Sequence, residues 1–285
     1  MTLSVRKVFI DSRYLVSGDS SNFEYELPEV LELPKDTIAF VTEVTTVASW
    51  DTVAAGRNNL LYVIESTSGS TYYSRIVPLP TGAYDSETLR LAVENALNGP
   101  GKVIGGTYQV ARASSAGTVG TASIGAAFRY FTVSVTGAGT CYFPGDPWLK
   151  KNIPTWTSSG GVAYDPQNLK SSNELFSFPG QEFGTTHTSS FIDLRSVNTL
   201  FVHSPSFGNY SCLSPGGVRT AIAKVPCDVA YGGVLHYEHS GSNYDYIDVG
   251  STTLKMLEFE LKDARGNFID LKGGNWSMTL VLARK

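Results

Sequence analysis

The 285 residues are 42% hydrophobic and 12% aromatic, enough for one large β domain or a domain carrying an insertion. Only 17% are charged, below the ~25% usual for soluble domains; such a surface suits burial against neighbours, although a quiet monomeric β-protein has it too. The net charge of −4 is concentrated in residues 1–65, with five Lys/Arg against ten Asp/Glu, and neither end is a basic arm, so the footprint of direct nucleic-acid binding is missing.

Residues 1–7 lack a signal-peptide apolar region, and no apolar run approaches the ~18 residues of a membrane span. Synthesis in a reducing, cytosol-contiguous compartment is expected. Strands are predicted at 5–10, as an edge, and around Phe23, Tyr25 and Leu27, which alternate with Asn22, Glu24 and Glu26. Pro28 and Pro34 bracket a predicted turn. Residues 37–50 form a β-rich run so long that it must bend or change partners, 51–59 a loop, and 60–65 another strand.

The character changes over 66–187. After a strand at 72–77, Asp85 is a good N-cap for the one convincing helix, 86–98. Leu89, Val93 and Leu97 form its apolar stripe, and Gly99-Pro100 stops it. Strands are plausible at 108–111 and 129–136, separated by a Gly/Ala/Ser/Thr-rich loop at 113–127. Residues 137–184 are aromatic, Pro-rich and irregular. Short strands return at 200–203, 220–225, 233–239, 244–249, 254–262 and 275–283, punctuated by Gly and Pro. The last two read as a terminal hairpin. Leu257, Phe259 and Leu261 share one face of the first, and Trp276, Met278, Leu280 and Leu282 one face of the second. About eight such strands favour a two-sheet sandwich or jelly roll with an inserted domain.

Motifs that would carry chemistry are sparse. Cys141, Cys212 and Cys227 are odd in number and widely spaced, as buried free thiols would be. Given the expected reducing compartment, the sequons at Asn209 and Asn275 read as accidental, and the second lies in a predicted core strand. In His236-Tyr237-Glu238-His239 the two histidines point to opposite faces of a strand, a poor geometry for one metal ion. His187 and His203 have no recognisable partner. The carboxylate pairs Glu24/Glu26 and Glu258/Glu260 sit on solvated strand faces, and Asp193 with Arg195 makes at most a surface ion pair. No nucleophile elbow, phosphate loop or metalloprotease motif occurs. The chain therefore reads as a non-enzyme, with no catalytic, cofactor-binding or metal-binding residue predicted. Arg57, Asn58 and Asn59 either simply form a turn or contact a neighbouring subunit or ligand. Trp50 and Trp276 read as core, and Trp148 and Trp156 as candidate interface aromatics.

Several stretches together resemble a known family: Phe9-Ile10-Asp11-Ser12-Arg13, Asn58-Asn59 before Leu60-Leu61-Tyr62, Ile76-Val77-Pro78-Leu79-Pro80-Thr81-Gly82-Ala83-Tyr84 running into a helix, and Asp263-Ala264-Arg265-Gly266-Asn267 before a final strand. In layout, over most of its length, the chain is similar to the penton, or minor capsid, proteins of icosahedral double-stranded DNA viruses and virus-like elements. These include those of virophages and polinton-like elements and, more distantly, the adenovirus penton base. The resemblance implies a mainly β fold, a single jelly-roll β-sandwich with an inserted smaller α+β domain: 1–65 and 188–285 for the jelly roll, 66–187 for the insertion. It further implies homopentamers at the fivefold vertices of a virion, docking on the major capsid protein. The insertion would face outward toward a host receptor or a spike or fibre. Synthesis would be in the host cytoplasm or nucleus. Two other readings compete: a jelly-roll receptor- or glycan-binding head, and a carbohydrate-active enzyme, which would need inward-facing carboxylates that the patterning does not offer.

Overall fold

The computed structural model describes residues 5–113, 130–156, 166, 167, 169–178, 180, 182–190, 192–207, 219–239 and 246–284. The chain opens with β1 (Val5–Asp11), β2 (Ser17–Asp19), β3 (Asn22–Glu32) and β4 (Thr37–Val47). Next come β5 (Leu60–Ser66), β6 (Tyr72–Pro78), α1 (Ser86–Leu97), β7 (Thr107–Ala113), β8 (Tyr130–Thr136) and β9 (Thr140–Tyr142). After α2 (Asp146–Asn152), α3 (Asn173–Phe176) and β10 (Thr186–Thr188) follow β11 (Thr199–His203), β12 (Ala221–Pro226), β13 (Val234–Glu238), β14 (Ile247–Asp248), β15 (Thr253–Lys262) and β16 (Trp276–Arg284). The loop expected over 113–127, beyond Ala113, lies outside the described residues, as do Cys212 and the sequon at Asn209. Among the described residues no helix is long and apolar enough to cross a membrane.

Residues 1–50 and 197–285 make one compact unit, and 51–196 the other. The first is a sandwich of two five-stranded antiparallel sheets: β1-β16-β4-β13, with β14 also on β4, and β12-β11-β15-β3-β2. One core fills it. Ile10, Val41, Val44, Trp276, Met278 and Leu280 come from the first sheet, and Phe23, Leu27, Val202, Leu257, Phe259 and Leu261 from the second. This is the mainly β jelly-roll sandwich expected from the alternation.

Two expectations change in detail, and a third, that the run at 37–50 changes partners, holds with a shorter strand. The last two long strands are not a hairpin: β15 pairs with β3 and β11, while β16 pairs with β1 and β4 in the opposite sheet. Their connection crosses the sandwich edge, with Ile269 and Leu271 buried in the core. Nor do Pro28 and Pro34 bracket a turn, for β3 runs on to Glu32. Opposite Pro28, β15 shifts register between Leu254 and Met256, so the missing N–H falls at an irregularity in the ladder. The long run at 37–50 ends as a strand at Val47. It keeps β16 along one edge and changes from β14 to β13 along the other. A register shift against β16 leaves Thr42 unpaired, which moves the inward set from Ala39 and Val41 to Val44 and Thr46.

In the second unit, β6-β5-β9 and β10-β8-β7 form two three-stranded antiparallel sheets, joined by α1, α2 and α3. The strand at 60–66 belongs here, so the jelly roll ends at Trp50 and resumes at Val197, instead of at 65 and 188 as the sequence suggested. The reason is that β5 is buried on both faces. Leu61 and Val63 feed one core, with Val77, Leu89, Val93, Leu97 and Phe131, whereas Tyr62 and Ile64 feed another, with Leu149, Ile153 and Trp156. A continuously apolar run does not reveal which sheet receives it. Helix α1 forms as its pattern dictates. The Asp85 carboxylate accepts from the N–H groups of Glu87 and Thr88, the Thr88 hydroxyl closes a capping box, and Leu89, Val93 and Leu97 are buried. Those backbone N–H bonds, chiefly that from Thr88, hold the Asp85 carboxyl below the ordinary aspartate range.

Candidate interaction surfaces

The loop before β5 is closed upon its own asparagines. Asn58 is fully buried; its Oδ1 accepts from the Ala54 N–H at 2.8 Å and its Nδ2 donates to the Thr52 carbonyl at 3.0 Å. The Asn59 Oδ1 accepts from the N–H of Gly56, whose φ of +77° suits glycine. Arg57 donates to the Asp51 carbonyl at 3.0 Å and lies 3.6 Å from a Glu174 carboxylate oxygen. Asn58 therefore shapes this loop from within.

Trp148, half-buried on α2, and Trp156, buried just beyond it, meet edge to face with centroids 6.3 Å apart. Trp156 packs on Tyr62, and Trp148 on Tyr142. Tyr142 continues to Phe183 and Phe183 to Tyr72, at 5.6 and 4.7 Å. This aromatic row runs from a buried end at Trp156 to an exposed end at Tyr72 and Phe183. The sequence had not linked those last two, because they come from separate segments that only the fold brings together.

In the jelly roll, the outer face of the sheet built on β1, β16, β4 and β13 carries exposed apolar side chains. Phe9 is 69% exposed and Val234 62%, and Val5 and Val47 are also exposed. Val47 and Val234 are cross-strand partners, while Phe9 sits opposite Thr279. Strand β1 ends its sheet, and the Phe9 carbonyl, turned away from β16, accepts from the Tyr25 hydroxyl. The sequence marked β1 as an edge strand, but its apolar run Val8-Phe9-Ile10 does not say which side chain turns outward. Near it, His236 lies between Glu238 at 3.2 Å and Glu43 at 3.7 Å, with Thr45 Oγ1 at 3.0 Å. His239 instead packs beside Phe40. No group of three potential metal ligands forms among the described residues.

No family model and no curated protein matches the sequence. Solved structures do. The mavirus penton protein superposes with a TM-score of 0.54 at 10% identity, covering 99% of both chains. The chain has the fold of that penton protein. A chain of the Sputnik virophage structure is also similar, with a TM-score of 0.42, 13% identity and 98% of both chains covered.

Within this penton fold, each unit buries one histidine. His187 of the second unit packs edge-on to Phe143, with its Nε2 3.3 Å from the Gly184 carbonyl. His203 of the jelly roll has its Nδ1 3.0 Å from the Thr220 hydroxyl. Burial pushes both imidazoles below their ordinary value; the carbonyls of Gly184 and Cys141 partly oppose this at His187. At His203 Lys262 reinforces it and Glu260 opposes it. The folded chain therefore keeps both neutral at a pH where the unfolded chain, titrating near ~6.5, takes up protons. Stability is full above that pH and is lost as pH falls toward the lower folded-state values. Melting temperatures should thus drop between about pH 7.5 and pH 5.5. In the double replacement His187→Gln and His203→Gln that drop should shrink; an unchanged slope would remove these residues as its cause.

Proposed function

We propose that this chain is a structural protein of a viral capsid, forming homopentamers at the fivefold vertices and docking on the major capsid protein. The reading rests on the likeness to a penton protein over 99% of both chains, jelly roll and insertion together. The low share of charged residues and the exposed apolar side chains Phe9, Val5, Val47 and Val234 on one sheet face support it, since apolar surface gains from burial against a neighbour. Five copies would close a ring through a heterologous contact, in which one patch of each copy meets a different patch of the next. The half-buried Trp148 and the loop bearing Arg57 and Asn59 are candidate contact positions. The buried Asn58 and Trp156 would act by holding their shape. The insertion would carry the outward functions, a host receptor or a spike or fibre. The protein would reside in the virion after synthesis in host cytoplasm or nucleus.

Mass photometry of the purified chain tests this directly. A species of five chain masses is expected, shifting to monomer in Phe9→Glu, where a carboxylate replaces an apolar contact. A strict monomer would count against the vertex role. A trimer that binds immobilised glycans would favour a receptor-binding head instead.

A further inference from the structure

Helix α1 closes one strand edge of the second unit and leaves another open. On one side its side chains stand in for a neighbouring strand along β7. Asn98 Nδ2 donates to the Tyr108 carbonyl and its Oδ1 accepts from the Tyr108 N–H, at 2.8 and 2.9 Å. Arg90 donates to the Val110 carbonyl at 2.9 Å, and Glu94 accepts from the Val110 N–H at 2.8 Å. That edge is occupied at Tyr108 and Val110. On the other side of α1, Leu91, Ala92, Asn95 and Ala96 form one wall of a groove of about 740 Å³, whose opposite wall is β6 with Ile76 and Pro78. This volume lies in the range of ligand sites.

Among the described residues, strand β6 is the end strand of its sheet and pairs with β5 alone. The ladder bond from the Leu79 N–H to the Asn59 carbonyl fixes its phase. By the antiparallel alternation Val77, Arg75 and Tyr73 bond β5, whereas Ser74 and Ile76 turn their N–H and C=O groups to the open edge. Pro78, with no N–H, ends that edge. Ionisable side chains are absent from the groove lining, because Glu87, Arg90 and Glu94 pair with one another and with Arg112 on the β7 side. Donors and acceptors at two-residue spacing, beside an uncharged apolar trough, specify an extended polypeptide of matching neutrality.

We propose that the groove between α1 and β6 binds an extended, uncharged peptide segment of another protein, added as a strand along β6. The inference does not depend on the capsid reading. Linear peptides selected by phage display against the full chain test it. Uncharged sequences should be recovered, and their binding should weaken at least about tenfold in Leu91→Glu, which places a carboxylate on the wall at a residue already 41% exposed. On the unaltered protein, N-methylation of the peptide at alternate residues should abolish binding in one phase and spare it in the other, the mark of strand pairing. Failure to recover a binder, selection of charged sequences only, or binding indifferent to both changes would overturn the proposal. So would self-association of the natural chain that Leu91→Glu abolishes, since the occupant would then be a second copy.

Discussion

Replacing Glu65 by alanine is expected to destabilise the unit of residues 51–196 by about 3–5 kcal/mol, the usual cost of orphaning a buried ionic partner. Glu65 is fully buried. Its Oε1 accepts from the Arg75 guanidinium and the Tyr108 hydroxyl, each at 2.8 Å, and its Oε2 from the Val103 N–H at 2.9 Å. Arg75 is nearly as buried and also holds the Leu97 carbonyl at the end of α1, at 2.7 Å. Without the carboxylate, the buried guanidinium loses its counter-charge and keeps only carbonyl partners, and the phenol loses its acceptor, so neither is fully repaid for its lost hydration. The neighbouring groups cannot take over the charge: burial raises the Tyr108 phenol far above its ordinary value and the Cys141 thiol to about 12. Segment-resolved hydrogen exchange through a urea titration would report on β5, β6 and β7. A loss under about 1 kcal/mol would show that the ion pair contributes no more than a surface pair does.

The second large effect is expected at Phe259. Its side chain is fully buried, 5.7 Å from the Phe23 ring, which in turn meets Trp276 of the facing sheet at 5.8 Å. Phe259→Ala removes a ring from the middle of the jelly-roll core and should cost about 3–5 kcal/mol, through lost burial and the cavity left behind. Met256, three residues earlier on the same strand, is 42% exposed, and Met256→Ala should change stability by no more than about 0.5 kcal/mol. The comparison is read from protection of β3, β15 and β16 in the same experiment. Equal effects from the two variants would mean that the alternation of β15 does not mark the core.

That alternation is where sequence reading served best. Leu257, Phe259 and Leu261 on one face, and Trp276, Met278, Leu280 and Leu282 on one face, all proved to be core, because a strand's side-chain period is a property of a few consecutive residues. Helix α1 and its Asp85 cap were legible for the same local reason. Other features were not. The strand at 60–66 showed a plain apolar run, and the one charged residue in it, Glu65, gave no sign of its role. Its partners lie 10, 38 and 43 residues away. Among the surface candidates, Arg57, Asn58 and Asn59 were legible as a turn, whereas the depth of Asn58 was not. The exposed pair of Tyr72 and Phe183 had no signal, since the two residues lie far apart in the chain.

By itself, then, the sequence determined which faces of which strands turn inward, where the helix starts and stops, and that a β-rich chain encloses a helix-bearing middle. Tertiary structure alone decided that β15 and β16 lie in opposite sheets and that β5 belongs to the second unit. It also decided that the edge of β6 stays open beside α1 while the edge of β7 is covered. The physical reason is that periodicity, capping and turn chemistry are set within a few residues. Strand partnership is instead a choice among many distant segments of similar propensity, made by closing long loops and filling a shared core.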